Sequence, residues 1–240
     1  MWRTAYAWLI GVVYTVFWAS LGILTWPLSP RGDLYLRYAR IWSGWILTSL
    51  GIPLEVVGRE RLEPGQTYVV MSNHQSVFDI FALFRAFDRP FRMVAKRALF
   101  WIPILGWSMG MCGFIPIDRS NRESAIRSLD RAARKIRSGV SVLVFPEGTR
   151  SLDGTLHGFK KGGFMLALKA GVPVVPVVVL GTDAIMEKGS LRVGRAEVEV
   201  RIGHPIEISG RGGGSRDLLM EEVRQAMVGL GATACEDAAA

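Results

Sequence analysis

From Thr4 to Pro30 the chain runs for 27 residues without a charged side chain. A helix needs roughly 20 apolar residues to cross the hydrocarbon of a bilayer, so this stretch is long enough to span one. It must end up against lipid or inside a protein core. A second uncharged stretch, Ile41 to Leu54, has 14 residues, short for a span and suited to a helix that lies in the interface or dips into it. Together the two read as a membrane-anchoring helical hairpin over residues 1–52. Six of the eight tryptophans fall here (Trp2, Trp8, Trp18, Trp26, Trp42, Trp45), and indole, apolar with one N–H donor, favours the headgroup level. Arg31, Arg37 and Arg40 suit anionic headgroups. The stretch is too long for a cleaved signal peptide and no A-x-A site follows it. A helix buried in the core is the other alternative.

Composition agrees with one folded domain beside that hairpin. The chain has 240 residues, half of them hydrophobic and 21% charged, whereas disorder needs low hydrophobicity and high charge. A net charge of +8 attracts nucleic acid, anionic lipid headgroups or phosphorylated substrates without choosing among them. Cys112 and Cys235 are too far apart in sequence and too isolated to suggest a disulfide framework or a zinc site. Ala98 to Ile117 is also uncharged over 20 residues, but two prolines and three glycines interrupt it, and a span would put Lys96 and Arg119 on opposite sides of a membrane. It reads instead as an apolar lid or bilayer-dipping part of the domain.

Beyond residue 53 short β-branched runs alternate with helical stretches, which predicts an α/β domain over 53–230, with a mostly parallel sheet flanked by helices, and a loose tail over 231–240. Strands are expected at Tyr68–Met71, Phe91–Ala95, Phe114–Ile117, Ser141–Phe145 and Val174–Leu180. Helices are expected at Val77–Phe87, from a Ser120/Glu123 capping box to Gly139, at Phe159–Ala170 and at Leu218–Leu230. Gly210 to Ser215 reads as a flexible loop. In such a sheet, ligands bind outside the carboxyl ends of the strands. Four of the five ends carry suitable chemistry: His74, Lys96, Arg119 and the turn Glu147–Arg150. Three cations on one rim suggest a phosphate-bearing ligand.

On a continuous helix His74 and Asp79 would sit about 140° apart. If Ser76 starts a helix, Asp79 falls in its first turn and can fold back onto the imidazole in the preceding loop, orienting a general base. The plain alternative is a strand-ending histidine and a helix-start aspartate. A competing pattern, Gly106-Trp107-Ser108-Met109-Gly110, matches the G-x-S-x-G nucleophile elbow, but it lacks the strand before and the long helix after. A non-catalytic basic module binding anionic lipid or nucleic acid would need basic residues interleaved with stacking aromatics. The arginines of residues 122–137 instead resemble one solvated helix face.

Four blocks of residues resemble the glycerolipid acyltransferase superfamily, most closely the 1-acylglycerol-3-phosphate acyltransferases. They are Asn73-His74 with Asp79, Gly113–Arg119 (GFIPIDR), Phe145–Ser151 (FPEGTRS) and Val172–Val177 (VPVVPV). The resemblance covers roughly residues 55–185. It implies acyl transfer from a thioester, acyl-CoA or acyl carrier protein, to the free hydroxyl of lysophosphatidic acid in contact with membrane lipids, with no cofactor, no metal and no nucleic acid. His74 would take the hydroxyl proton and Asp79 would hold the imidazole. By the same resemblance Arg119, Glu147, Gly148, Thr149 and Arg150 hold the glycerol phosphate, and Lys96 joins them from its strand-end position. Glu147, being acidic, suits a glycerol hydroxyl better than the phosphate. The backbone near Val174 to Pro176 is a candidate oxyanion donor. Other acceptors consistent with the same chemistry are glycerol 3-phosphate, another lysophospholipid or an amino-acid lipid. The expected location is a membrane, the bacterial inner membrane with the catalytic domain on the cytoplasmic face.

Overall fold

The computed structural model describes residues 2–30, 32–118, 122–208 and 215–235. Two apolar helices, α1 (Trp2–Leu24) and α2 (Asp33–Ser49), precede β1 (Leu54–Val57), β2 (Val69–Ser72) and α3 (Phe78–Ala86). Then come β3 (Phe91–Lys96), α4 (Leu105–Met111), β4 (Ile115–Ile117), α5 (Arg122–Arg137) and β5 (Ser141–Val144). The chain continues through α6 (Lys161–Ala170), β6 (Val174–Leu180), α7 (Thr182–Ile185), β7 (Val198–Ile202) and α8 (Arg216–Gly229). The seven strands lie in the order β1-β7-β6-β2-β5-β3-β4. All neighbours are parallel except β6 and β7. This is the α/β, mostly parallel sheet that the alternating pattern predicts.

β2 to β6, parallel to one another, are the five expected strands, and they read as unbroken apolar runs because the sheet is covered on both faces. Side chains alternate across a strand. Val70, Leu143, Val175, Val177 and Val179 therefore face a layer built from α1 to α4, while Val69, Met71, Val142, Val144 and Val178 face α5, α6 and α8. β1 and β7 are additions. In β7 Val198, Val200 and Ile202 point inward, while Glu199 and Arg201 pair on the outer face at 2.7 Å. This half-buried alternation in a short segment is a weaker signal than the apolar runs.

The uncharged 98–117 stretch is no span. It forms a 3₁₀ turn (Arg97–Trp101), then α4 and β4, all within the domain. Among the described residues α1 alone is long and apolar enough to cross a membrane, and only 22% of its most apolar window is buried, which argues against a core helix. It packs against α2 and α4, and α2 packs against α3. Contact is close: a Cβ on Gly22 would lie 2.2 Å from the Tyr35 ring. At its start, Arg3 donates to the carbonyls of Gly194 (2.9 Å) and Leu50 (2.8 Å), and Trp8 to that of Leu191 (2.9 Å). The hairpin is thus hydrogen-bonded to the domain as well as packed on it. Leu9, Val12, Val13, Val16 and Phe17 of α1, Ile41 and Trp45 of α2, Trp101 before α4 and Trp107 within it remain exposed. An apolar surface of this kind marks an interaction face.

Residues 231–235 are held in place: Leu156 bridges Ala234, and its N–H donates to the Thr233 carbonyl at 2.7 Å. The remainder of the expected tail lies outside the described residues, as do Arg31, Ser120 with its capping box, and 210–214 of the expected loop.

Two outcomes follow from this packing. Gly58 sits at φ +87° after β1, and a Cβ there would lie 2.1 Å from the Ile202 carbonyl oxygen. Gly58→Ala is expected to cost about 2 to 4 kcal/mol in chemical denaturation, from the left-handed backbone and the clash together. Cys112 is buried, its thiol pushed up to about 12 chiefly by desolvation, whereas Cys235 is half-buried. A thiol reagent at mildly alkaline pH should label Cys235 in the folded protein and Cys112 only after denaturation.

Candidate active site

β2 ends at Ser72, and the next residue replaces the sheet with its side chain. Asn73 Nδ2 donates to the Val179 carbonyl (2.9 Å) and its Oδ1 accepts the Val179 N–H (2.7 Å), as one more ladder rung to β6 would. The chain is thereby free to turn while staying pinned to β6, and the turn carries His74. Asp79 lies in the first turn of α3 and is fully buried. Its Oδ2 accepts from His74 Nδ1 (2.7 Å), Gln75 N–H (2.7 Å) and Ser76 N–H (3.0 Å). Its Oδ1 accepts the hydroxyl of Thr182. Ser76 does not cap the helix. Its hydroxyl donates to the Met186 carbonyl at 2.7 Å, and the carboxylate of Asp79 serves the loop's N–H groups instead.

With Nδ1–H directed at the carboxylate, the other ring nitrogen of His74 carries the lone pair. Nε2 has no protein partner among the described residues. The ring stacks on Phe145 at 3.9 Å between centroids and 15° between planes. Phe145 follows β5, which pairs with β2 in parallel through Met71 and Val144. The FPEGTRS turn therefore emerges beside the His74 loop, and two bonds join them: His74 N–H to Glu147 Oε1 (2.9 Å) and Ser151 N–H to the His74 carbonyl (2.7 Å).

Glu147 differs from expectation. It is buried, its second oxygen accepts the His157 N–H at 3.1 Å, and so both oxygens are committed to backbone. Burial raises its carboxyl above the ordinary value, against the pull of those two donors. It braces the His74 and His157 segments through those two bonds. Gly148 takes φ +75°, a backbone that glycine adopts without steric cost. Thr149 is exposed, and Arg150 is half-buried with its carbonyl accepting from Lys188 Nζ at 2.7 Å. Lys96, exposed at the end of β3, pairs in register with Ile117 on the same sheet edge. Arg119 lies outside the described residues.

Two candidates fall away. Ser108 is buried inside α4, its hydroxyl bonded to the Leu105 carbonyl (2.7 Å) and paired with the Tyr35 hydroxyl (3.0 Å), and among the described residues it bonds no histidine. It is not a nucleophile elbow. Val174 starts β6 opposite Val69 and its N–H already serves the Ile206 carbonyl, while Pro176, opposite Met71, has no N–H to give. Neither of these two positions has an N–H free to serve as an oxyanion donor. A second His–Asp contact, His157 Nε2 to Asp153 Oδ1 at 3.1 Å, is of another kind. Asp153 is exposed and is held well below the usual carboxylate range first by the Thr155 N–H and then by the Ser151 and Thr155 hydroxyls. It shapes its own loop.

The arrangement is an imidazole held by a buried carboxylate, in a loop bonded to a glycine turn. Residues 53–180, more than half of the chain, match the Acyltransferase family model, and the chain belongs to that family. A 1-acyl-sn-glycerol-3-phosphate acyltransferase of Chlamydomonas reinhardtii is 42% identical over 182 residues, 72% of this chain and 54% of that one. The chloroplastic 1-acyl-sn-glycerol-3-phosphate acyltransferase LPAT1 of Arabidopsis thaliana is 40% identical over 218 residues, 88% of this chain and 60% of that one. The chain thus spans little more than half the length of these relatives. The crystal structure of the 1-acyl-sn-glycerophosphate acyltransferase PlsC from Thermotoga maritima aligns with a TM-score of 0.82 at 29% identity, covering 95% of this chain and 93% of that one.

Glu147→Ala would leave two backbone N–H groups unpaired, at about 1 to 3 kcal/mol each. It should lower the thermal midpoint and the activity together, whereas Thr149→Ala, at an exposed position, should leave the midpoint in place.

Proposed function

We propose that the chain transfers an acyl group from a thioester, acyl-CoA or acyl carrier protein, to the free hydroxyl of lysophosphatidic acid, giving phosphatidic acid. The observation that carries this reading is the buried Asp79 carboxylate on His74 Nδ1, in a loop bonded to the turn that leads to Arg150. In this reading Nε2 takes the hydroxyl proton as the oxygen attacks the thioester carbonyl. The imidazolium so formed is stabilised by Asp79, and returning the proton lets the thiol leave. A base held in place contributes roughly 10² to 10⁴ in rate. Arg150, Lys96 and Arg119 receive the phosphate of the acceptor, Gly148 and Thr149 shape the turn that meets it, and Glu147 keeps that turn at a fixed distance from His74.

The exposed apolar face of α1, α2 and the α4 region supports attachment to membrane lipid, so that an acyl-bearing acceptor reaches the edge from the bilayer. A chloroplastic protein among the relatives gives the bacterial inner membrane no support.

The test offers purified full-length protein labelled oleoyl and palmitoyl thioesters with lysophosphatidic acid, glycerol 3-phosphate, other lysophospholipids and an amino-acid lipid. Lysophosphatidic acid is expected to be the preferred acceptor. His74→Ala should remove turnover while circular dichroism and membrane fractionation stay as in the parent; retained turnover would sink the reading. Arg150→Ala should raise KM for lysophosphatidic acid about 10- to 100-fold, the loss expected for a charge-assisted hydrogen bond.

A further inference from the structure

Three of the four donors to Asp79 come from its own loop and all three bind Oδ2. The fourth crosses 103 residues of sequence: the hydroxyl of Thr182 donates to Oδ1. Among the described residues it is the one donor to that oxygen. Both side chains are fully buried, so water does not compete for it.

The rotation of a carboxylate about its Cβ–Cγ bond is a soft torsion with no sharp staggered wells. Its angle is set by whatever its oxygens bind. A donor on Oδ1 fixes the rotation from the side opposite the imidazole. It also draws part of the carboxylate charge away from the bond to His74. Thr182 is itself well placed to hold such an angle, since a β-branched residue has a restricted χ1. The element that carries it returns repeatedly to the catalytic edge. β6 is pinned before it by Asn73 on Val179, the Met186 carbonyl after it accepts Ser76 Oγ at 2.7 Å, and Lys188 Nζ reaches the Arg150 carbonyl at 2.7 Å.

We infer that Thr182 is a positioning residue for the transfer reaction: its hydroxyl sets the rotation and the charge distribution of Asp79, and thereby aims the His74 imidazole, without touching substrate. The inference rests on the reading of His74 as the general base.

Thr182→Val keeps the shape and removes the hydroxyl, and Thr182→Ser keeps the hydroxyl. The assay uses full-length protein with oleoyl-CoA and lysophosphatidic acid. For Thr182→Val, kcat is expected to fall roughly 10- to 100-fold, the equivalent of one hydrogen bond to a charged group. Both KM values should stay within about twofold, because no contact with substrate is lost. The acid limb of the kcat profile should move to higher pH, since a carboxylate stripped of its second partner concentrates its charge on the imidazole. Among the described residues, Glu147 meets the His74 backbone and Lys188 the Arg150 carbonyl, and the substitution alters neither bond. Thr182→Ser should recover most of kcat and the parental profile.

An unchanged kcat and profile in Thr182→Val would overturn the inference. So would a loss that serine does not rescue, or one that appears in KM or in the thermal midpoint with the profile unmoved. If the valine variant fails to fold, Thr182→Ala under the same pH series decides the matter by the same criteria. His74→Ala is assayed beside them: if it keeps its turnover, the general-base reading itself falls, whatever the Thr182 variants do.

Discussion

A carboxylate sealed from water is tolerable only when its lone pairs are met by donors, and Asp79 meets that condition with four of them. Burying an unpaired charge would cost several kcal/mol, more than most single interactions in a domain return. The surroundings of Asp79 are therefore not free to vary. The bend between β2 and α3 presents two N–H groups, the imidazole comes from the residue before them, and a hydroxyl arrives from the end of β6. The geometry of the site follows from satisfying one buried group.

The sheet makes this possible. β2 is flanked by β5 on one side and β6 on the other, so three chain segments distant in sequence end side by side. Each sends one part across: β2 the histidine, β5 the stacked phenylalanine and the glycine turn, β6 the threonine. Apolar layers on both faces keep the strands rigid. Burial of a valine or leucine side chain is worth roughly 1.5 to 3 kcal/mol, and the core valines of β2, β5 and β6 are closed to solvent. The apolar hairpin adds a covering for one face while keeping its own outer side free.

Most of this was legible where chemistry and local pattern coincide. The apolar runs mark the parallel strands because sheets buried on both faces need no alternation, and Asn73, His74 and Asp79 stand where a strand end meets a helix start. β1 and β7 were missed because half-buried short strands carry a faint period. Thr182 was visible as a residue after a strand, but nothing local says that its hydroxyl crosses the sheet to an aspartate. Glu147 was read as a ligand-facing acid together with the rest of its turn. Only the fold reveals that two backbone N–H groups claim both its oxygens. The hydroxyl-elbow pattern at Ser108 failed for the opposite reason, since a short motif matches by chance and its neighbours do not build the required turn.

His74 is bonded through both its backbone N–H and its carbonyl to the turn that begins at Phe145. On the proposed reading, the proton acceptor and the phosphate grip are then one rigid piece, and the gap between them is a gauge. An acceptor whose hydroxyl sits one bond nearer to its phosphate, or one bond farther, fits the grip or the imidazole but not both. Regiochemistry would then be a matter of length, measured by two peptide groups rather than by any pocket wall.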